Sequence, residues 1–304
     1  TWDFAEQRHD LRVLYEKSKD AMWNARTDLA WDTTSTPSPR TLPNEFIPIY
    51  GSPFWDKLDK KTELPKLRQM SSSYLLSNFF HGEQGALLAT SQIVNAVPSA
   101  DAKLYAATQV MDEARHVEAY DRYLREKVEM TFPISPHLRT LLDEILQESR
   151  WDMKYLGMQI MVEGLALAAF GFISQTSNEP LLREIVHMIM QDEARHVAFG
   201  VLSLKGIYEE MSESGAARSR GLHRLASRLM RDRLLMQEVW EHMGMPVEEC
   251  VEIARHSEID ADVPHAAVLQ DRPQHQAPRP AHAHVRQGFE ELGVLHFESW
   301  DASA

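Results

Sequence analysis

The sequence predicts an all-α protein: a four-helix bundle with extra helices before and after it. Three observations carry that prediction. Apolar residues recur every three or four positions along most of the chain, and no stretch alternates as a half-buried strand does. The hexapeptide DEARHV occurs twice, at residues 112–117 and 192–197. Thirty residues upstream of each copy's glutamate lies another glutamate, Glu83 before Glu113 and Glu163 before Glu193. Thirty residues suit a long helix, a short turn and a return to the same depth.

The elements follow in order. Residues 4–26 carry Leu11, Leu14, Tyr15, Ala21 and Met22 at helical spacing and read as a first amphipathic helix. Residues 27–61 hold five prolines among Trp31, Phe46, Ile47, Tyr50, Phe54 and Trp55, the mark of a loop strapped onto the body. That strap either covers the bundle or forms one wall of an access route. Helices are expected over 62–97, ended before Pro98, and from 99 to 129, with Ser99 and Asp101 as N-caps. Prolines 133 and 136 then break the chain, and one very long helix is expected over 137–175. The turn 177–180 places Pro180 at the first position of the fourth bundle helix, which runs to about 211. A basic helix over 216–243 and a short one from 246 to 256 follow. The division expected is an N-terminal helix and strap at 1–62, the bundle with its following helices at 63–258, and a mobile Pro- and His-rich tail at 259–304.

The chain has 304 residues, 43% of them hydrophobic and 25% charged, which is ordinary for a soluble globular protein. A net charge of −13 disfavours nucleic acid and anionic membranes as partners. The single cysteine, Cys250, excludes internal disulfides and fits a cytoplasmic location. No apolar run of membrane-spanning length is expected, and no membrane partner.

The repeat carries chemistry. A Glu and a His three apart share one face of a helix. Four-helix bundles that bind two iron or manganese ions draw one Glu from each of two helices and Glu-x-x-His from each of the other two. Glu83, Glu113, His116, Glu163, Glu193 and His196 match that set in order. A single Glu-x-x-His is common on solvated helix faces, but Glu163 is the only ionisable residue in GMQIMVEGLALAAFGF, residues 157–172. A lone buried carboxylate costs several kcal/mol, so it needs a cation or a proton. Oxygen ligands with one imidazole per metal suit iron or manganese better than zinc. Asp112 and Asp192, each preceding a ligand Glu, are expected to accept from the histidines crosswise, Asp192 from His116 and Asp112 from His196. Arg115 and Arg195 are expected on the flank, paired near the bundle's end. Small residues beside the ligands (Gly82, Gly85, Ala86, Gly164, Ala166, Ala168, Ala169) either allow close packing or leave a cavity that Phe79, Phe80, Phe170, Phe172 and Phe199 would line.

Residues 63–212, through those six ligands, resemble the ferritin-like di-iron carboxylate oxygenases and oxidases. That superfamily includes multicomponent monooxygenases, amine N-oxygenases, ligand-binding oxidases and the radical subunit of ribonucleotide reductase. The stretches LYEKSKDAMWNARTDLAWD and HGEQGALLATSQIV are similar to its oxygenase members. The resemblance implies two Fe ions, with Mn/Fe as the alternative pair, and O2 as co-substrate. It further implies a small-molecule substrate oxidised by hydroxylation, N-oxygenation or desaturation, and an external electron donor, ferredoxin or reductase. A homodimer is expected. Two departures stand out. Arylamine N-oxygenases add a third histidine one turn before the last ligand glutamate, where this chain has Ile189. The radical subunit has aspartate as first ligand, where this chain has Glu83, yet its radical tyrosine corresponds to Tyr120. A radical subunit and a ferroxidase or iron-handling protein are the alternative functions.

Overall fold

The structure, a computed structural model, describes residues 2, 4, 5, 7–33, 41–205 and 213–256, with the backbone alone at 213–220 and 223. The expected tail at 259–304 lies outside the described residues. Every regular element described is a helix. Helix α1 runs His9–Asp20, α2 Pro53–Lys57, α3 Glu63–Ala96 and α4 Ala100–Tyr123. After α4 a π-helical turn, Leu124–Val128, leads to Glu129 in the left-handed region. Helices α5 (Pro136–Gln147) and α6 (Trp151–Tyr155) precede a second π-helical segment, Leu156–Val162. Then come α7 (Glu163–Thr176), α8 (Pro180–Leu204), α9 (Glu213–Asp232), α10 (Gln237–Met243) and α11 (Val247–His256).

Helices α3, α4, α7 and α8 form the bundle, and their ends follow local chemistry. Pro98 stops α3, and the Ser99 hydroxyl caps α4 by accepting from the Ala102 amide at 3.2 Å. Asp101 is not a cap. Its carboxylate accepts from the amides of Gln7 and Arg8 at 2.8 Å each and pairs with Arg12, which ties the N-terminus to α4. That anchoring shortens the first helix: it starts at His9 and ends at Asp20, well inside the expected 4–26. Pro180 opens α8 at its first turn as expected.

The long helix expected over 137–175 is broken. It stops at Gln147 and restarts at Trp151, and the stretch before Glu163 winds as a π-helix. At the break the Glu148 amide reaches the carbonyls of Glu144 and Ile145, and the Lys154 ammonium donates to those of Ile145 and Leu146 at 2.9 Å. The π-segment inserts extra backbone just ahead of Glu163, which resets where that side chain points. Residues 151–176 form a continuous helix long and apolar enough to cross a membrane, contrary to the expectation from sequence, with 61% of its most apolar window buried inside the protein. Its apolar residues pack against α8 and α9.

The N-terminal strap packs on the body. Trp31 and Leu29 sit in the apolar cluster around Tyr120 and Phe170, while Ile47, Ile49 and Trp55 pack with Trp240 and Cys250. The Arg122 guanidinium lies 4.1 Å from the centroid of the Trp31 ring, and Lys127 donates to the Trp31 carbonyl at 2.8 Å.

Candidate metal centre

The four bundle helices bring Glu83, Glu113, His116, Glu163, Glu193 and His196 together in the core, none more than 5% exposed. Helices α3, α4 and α8 supply their groups from within their length, whereas Glu163 is the first residue of α7, directly after the π-helical segment. Around His116, the Nδ1 atom lies 3.3 Å from Glu83 Oε2, 3.6 Å from Glu113 Oε2 and 3.3 Å from Glu193 Oε1. Around His196, the Nδ1 atom lies 3.2 Å from Glu113 Oε1, 3.4 Å from Glu193 Oε2 and 3.9 Å from Glu163 Oε2. The donor atoms form two groups, one from Glu83, Glu113, His116 and Glu193 and one from Glu113, Glu163 and His196. Glu113 belongs to both.

The histidines are oriented from behind, and the pairing is crosswise. His116 Nε2 meets Asp192 Oδ2 at 3.0 Å, and His196 Nε2 meets Asp112 Oδ2 at 3.3 Å. Either carboxylate holds the proton of its imidazole on Nε2 and turns Nδ1 toward the glutamates. Arg115 does not sit on the flank. It is 4% exposed and donates to both Asp112 and Asp192, while Arg195 pairs with Asp192. Each aspartate therefore accepts from a histidine and an arginine at once.

Charge here is unbalanced without cations. Burial pushes the Glu83 carboxyl up to about 8 despite the opposing pull of His116. Glu163 is raised well above the usual range by burial, and the charges of Glu193 and Glu113 add to that. Burial alone would lower both histidines, yet the surrounding carboxylates raise His116 and His196 well above their ordinary value. Burial raises Glu193 too, but His196 and His116 outweigh it and the net shift is downward. Deep in the core, Glu113 Oε2, Glu163 Oε2, Glu193 Oε2 and His196 Nδ1 have no hydrogen-bond partner. Unpaired buried acceptors are costly, and lone pairs converging from three of the four bundle helices are what divalent ions require. The residues fit such a pair.

Four contributors gave no sequence signal that was read. Gln109, fully buried one turn before Glu113, donates to Glu113 Oε1 at 3.0 Å and Glu163 Oε1 at 3.1 Å. The spacing 109, 113, 116 on one helical face would have found it. Trp23 donates its indole N–H to Asp192 Oδ2 at 2.7 Å from a coil after α1, which no spacing rule reaches. Asn78 and Arg233 line a cavity beside Glu83, Glu163 and Glu193, closed by Phe79, Phe170 and Met230.

Of the five phenylalanines expected to line a cavity, Phe79 and Phe170 line the one beside the glutamates. Phe172 packs on Phe46 of the strap with centroids 4.2 Å apart, and Phe199 packs between Tyr105 and Tyr155. Phe80, partly buried, borders the cluster around Tyr120. The small residues split between roles. A Cβ on Gly85 would meet Leu142 at 2.5 Å, whereas Gly82 faces open space and lines the cavity with Ala86 and Ala166. Tyr120 is fully buried with its hydroxyl unpartnered, 6.1 Å from Phe79 between ring centroids, and burial raises its pKa well above the ordinary value.

A family model described as p-aminobenzoate N-oxygenase AurF matches residues 5–270. The chain belongs to the AurF family. Solved structures of R2-like ligand-binding oxidases share the fold of this AurF-family chain. An isoleucine-for-valine variant with anaerobically reconstituted Mn/Fe cofactor is 19% identical with a TM-score of 0.54, over 97% of this chain and 95% of that chain. A phenylalanine-for-tyrosine variant with aerobically reconstituted Mn/Fe cofactor is 18% identical with a TM-score of 0.57, over the same shares. Among curated proteins no similar sequence was found. The ferritin-like bundle is thus the common frame, and Ile189, in the core of α8, occupies the position where the sequence comparison expects a third histidine in arylamine N-oxygenases.

Proposed function

We propose that the protein is an oxygen-dependent dimetal oxidoreductase that oxidises a small organic substrate, with N-oxygenation of an amine as the reaction favoured by its family. The observation that carries this reading is the convergence of the unpartnered Oε2 atoms of Glu113, Glu163 and Glu193 on the Nδ1 edges of His116 and His196, at 3.6, 3.9 and 3.4 Å. Bound there, two iron ions or a manganese–iron pair would supply reductive activation of dioxygen. Glu83, Glu113 and His116 would hold one ion mainly, and Glu163, Glu193 and His196 the other; Glu113 and Glu193 each reach both histidines.

The chain's own groups have definable tasks. Asp112 and Asp192 keep the histidines in one tautomer and make them better donors. Gln109 fixes the adjacent oxygens of Glu113 and Glu163 so that their other oxygens face the ions. Phe79, Phe170 and Met230 keep bulk water from the side of the centre next to Glu83 and Glu163. Electrons come from outside, from a ferredoxin or a reductase, and the substrate enters beside the Phe79–Phe170 pair.

The test is anaerobic loading with ferrous iron, metal analysis, and rapid mixing with oxygen while absorbance is followed. Two irons per chain and an absorbing species that decays faster with amines support the reading. No uptake of two metals sinks it. A radical-generating role is the second reading, favoured by the unpartnered Tyr120 hydroxyl. A paramagnetic signal that disappears in Tyr120→Phe would establish it, and silence after oxygen exposure would remove it.

A further inference from the structure

Two tyrosines in the core carry hydroxyls without a partner. Tyr105 on α4 and Tyr155 at the end of α6 are fully buried, and neither hydroxyl makes a hydrogen bond among the described residues. A buried phenol normally finds a partner, because stripping water from an unpaired hydroxyl is unfavourable. Phenylalanine fills such space without that cost, as Phe199 does between them. The three rings are in contact, with centroids 4.4 Å apart from Tyr105 to Phe199 and 5.0 Å from Phe199 to Tyr155. Trp151, one turn before Tyr155, continues the row at 5.5 Å and is only partly buried.

The row runs from the metal centre to the surface. Phe199 follows His196 by three residues on α8, one turn along the same side of the helix. Tyr105 lies two turns before Asp112 on α4, about 10 Å along the axis. Beyond its hydroxyl, tyrosine differs from phenylalanine in an electron-rich ring that gives up an electron more readily. We propose that Tyr105, Tyr155 and Trp151 form an electron-release path that discharges the oxygen-oxidised dimetal centre when no organic substrate is bound. This rests on the dimetal reading above. One electron leaves the Trp151 indole and passes through Tyr155 and Tyr105 to the oxidised centre, which is reduced by one electron. The indole N–H proton goes to water, and a thiol reductant in solution returns a hydrogen atom to the indolyl radical left behind. Neither phenol is the end point. Burial pushes both above the ordinary pKa of tyrosine, with the charge of Asp112 adding to that at Tyr105, and no acceptor takes their protons. Trp151 is the member of the row that reaches solvent and can release its proton.

The test loads the full chain with ferrous iron, mixes it with oxygen in the absence of substrate, and freeze-quenches it for paramagnetic resonance and peptide mass spectrometry. A radical signal narrowed by ring-deuterated tryptophan is expected, absent in Trp151→Phe and retained in Tyr120→Phe. Oxygen adducts should collect at Trp151 rather than at Trp2, which is 98% exposed and outside the row. Tyr105→Phe and Tyr155→Phe should each lose most of the signal and most of the adducts. Both variants should melt no lower than wild type, because only an unpartnered hydroxyl has been removed. Zinc-loaded protein, which has no redox chemistry, should give neither signal nor adducts. Adducts at Trp151 that survive both tyrosine changes, or that only match those at Trp2, would mean oxidation from solution and overturn the path. A lowered melting point in either tyrosine variant would show a structural hydroxyl and overturn it as well. Iron counted per chain separates the two levels. Two irons that react with oxygen without a Trp151-dependent signal reject the path alone, and fewer than two reject the centre beneath it.

Discussion

The indole N–H of Trp23 donates to Asp192 Oδ2 at 2.7 Å, and the same oxygen meets His116 Nε2 and Arg115 Nη2 at 3.0 Å each. Burial would raise this aspartate, but the hydrogen bond and charge of His116, with Arg195 and Arg115, hold it well below the ordinary carboxylate range. It is therefore a fixed negative charge that orients one imidazole. Asp192→Asn is expected to weaken metal binding by about 10- to 100-fold, measured by competition with a chelator. Trp23→Phe removes one donor of several, so it should cost about 1 kcal/mol in denaturant unfolding and change metal affinity less than tenfold. Equal losses in the two variants would show that the indole, not the charge, sets the histidine.

Gln109 marks where the two halves of the repeat differ, since Ile189 occupies the matching place 80 residues on. Its amide bonds both Glu113 and Glu163, while Ile189 packs in an apolar cluster with Ile185 and Leu182. Gln109→Leu should thus weaken one metal step more than the other in a stepwise titration. The reverse change, Ile189→Gln, should destabilise the protein by about 1–3 kcal/mol, because a buried amide gains no partner. Two metal steps weakened equally by Gln109→Leu would contradict the assignment of Gln109 to the Glu113–Glu163 side.

Where the sequence could be read and where it could not follow from the range of the interactions. The two Glu-x-x-His segments share a helix face by local geometry alone, and the buried glutamate in a run of apolar residues signals a need for a cation wherever it occurs. The bundle was legible for the same reason: capping serines and prolines at 98, 136 and 180 are local signals. The break at 148–150 and the π-segment 156–162 were not, since apolar spacing over a fully buried stretch fits an α-helix equally well. Arg115 was misplaced because sequence shows only its own helix, whereas Asp192 from a different helix draws it inward. Trp23 reaches Asp192 from outside the four bundle helices, 169 residues away in sequence, and Arg233 lines the neighbouring cavity from the turn after α9.

Acid dependence of the metal-free protein follows from the raised groups. Glu83, at about 8, and Glu163 both hold protons in the folded state that the unfolded chain releases near its ordinary carboxylate value. A raised pKa contributes stability below the unfolded value and loses it as pH climbs to the folded one. His116 and His196, raised too, act in the same direction above about 6.5. Metal-free protein should therefore lose stability steadily from about pH 5 to pH 8, and further as the histidines release their protons. Loaded with metal, the same groups are deprotonated and paired, so the slope should flatten and metal affinity should rise with pH. Thermal melts at several pH values, with and without metal, measure both. A metal-free protein that gains stability between pH 6 and 8 would invert the assigned shifts.

Glu163→Gln isolates the carboxylate that most strongly implied a metal. Burial raises its pKa well above the ordinary carboxylate value, so the metal-free wild type holds this proton to higher pH than an exposed glutamate does, and an amide of the same shape imitates the neutral acid. Stability of the metal-free variant at pH 7 should then lie within about 1 kcal/mol of wild type. As pH rises the variant should gain stability relative to wild type, because it has no buried proton to release. Metal binding should fail differently. An amide carries no charge and is a poor ligand for a hard cation, so the site of Glu113, Glu163 and His196 should lose its ion while that of Glu83, Glu113, His116 and Glu193 keeps one more weakly. Metal analysis showing one ion per chain, with oxygen consumption abolished, is the expected outcome. Two tightly bound ions in the variant would remove Glu163 from the ligand set, and loss of several kcal/mol at pH 7 would mean its carboxylate is ionised and paired in a way the geometry does not contain.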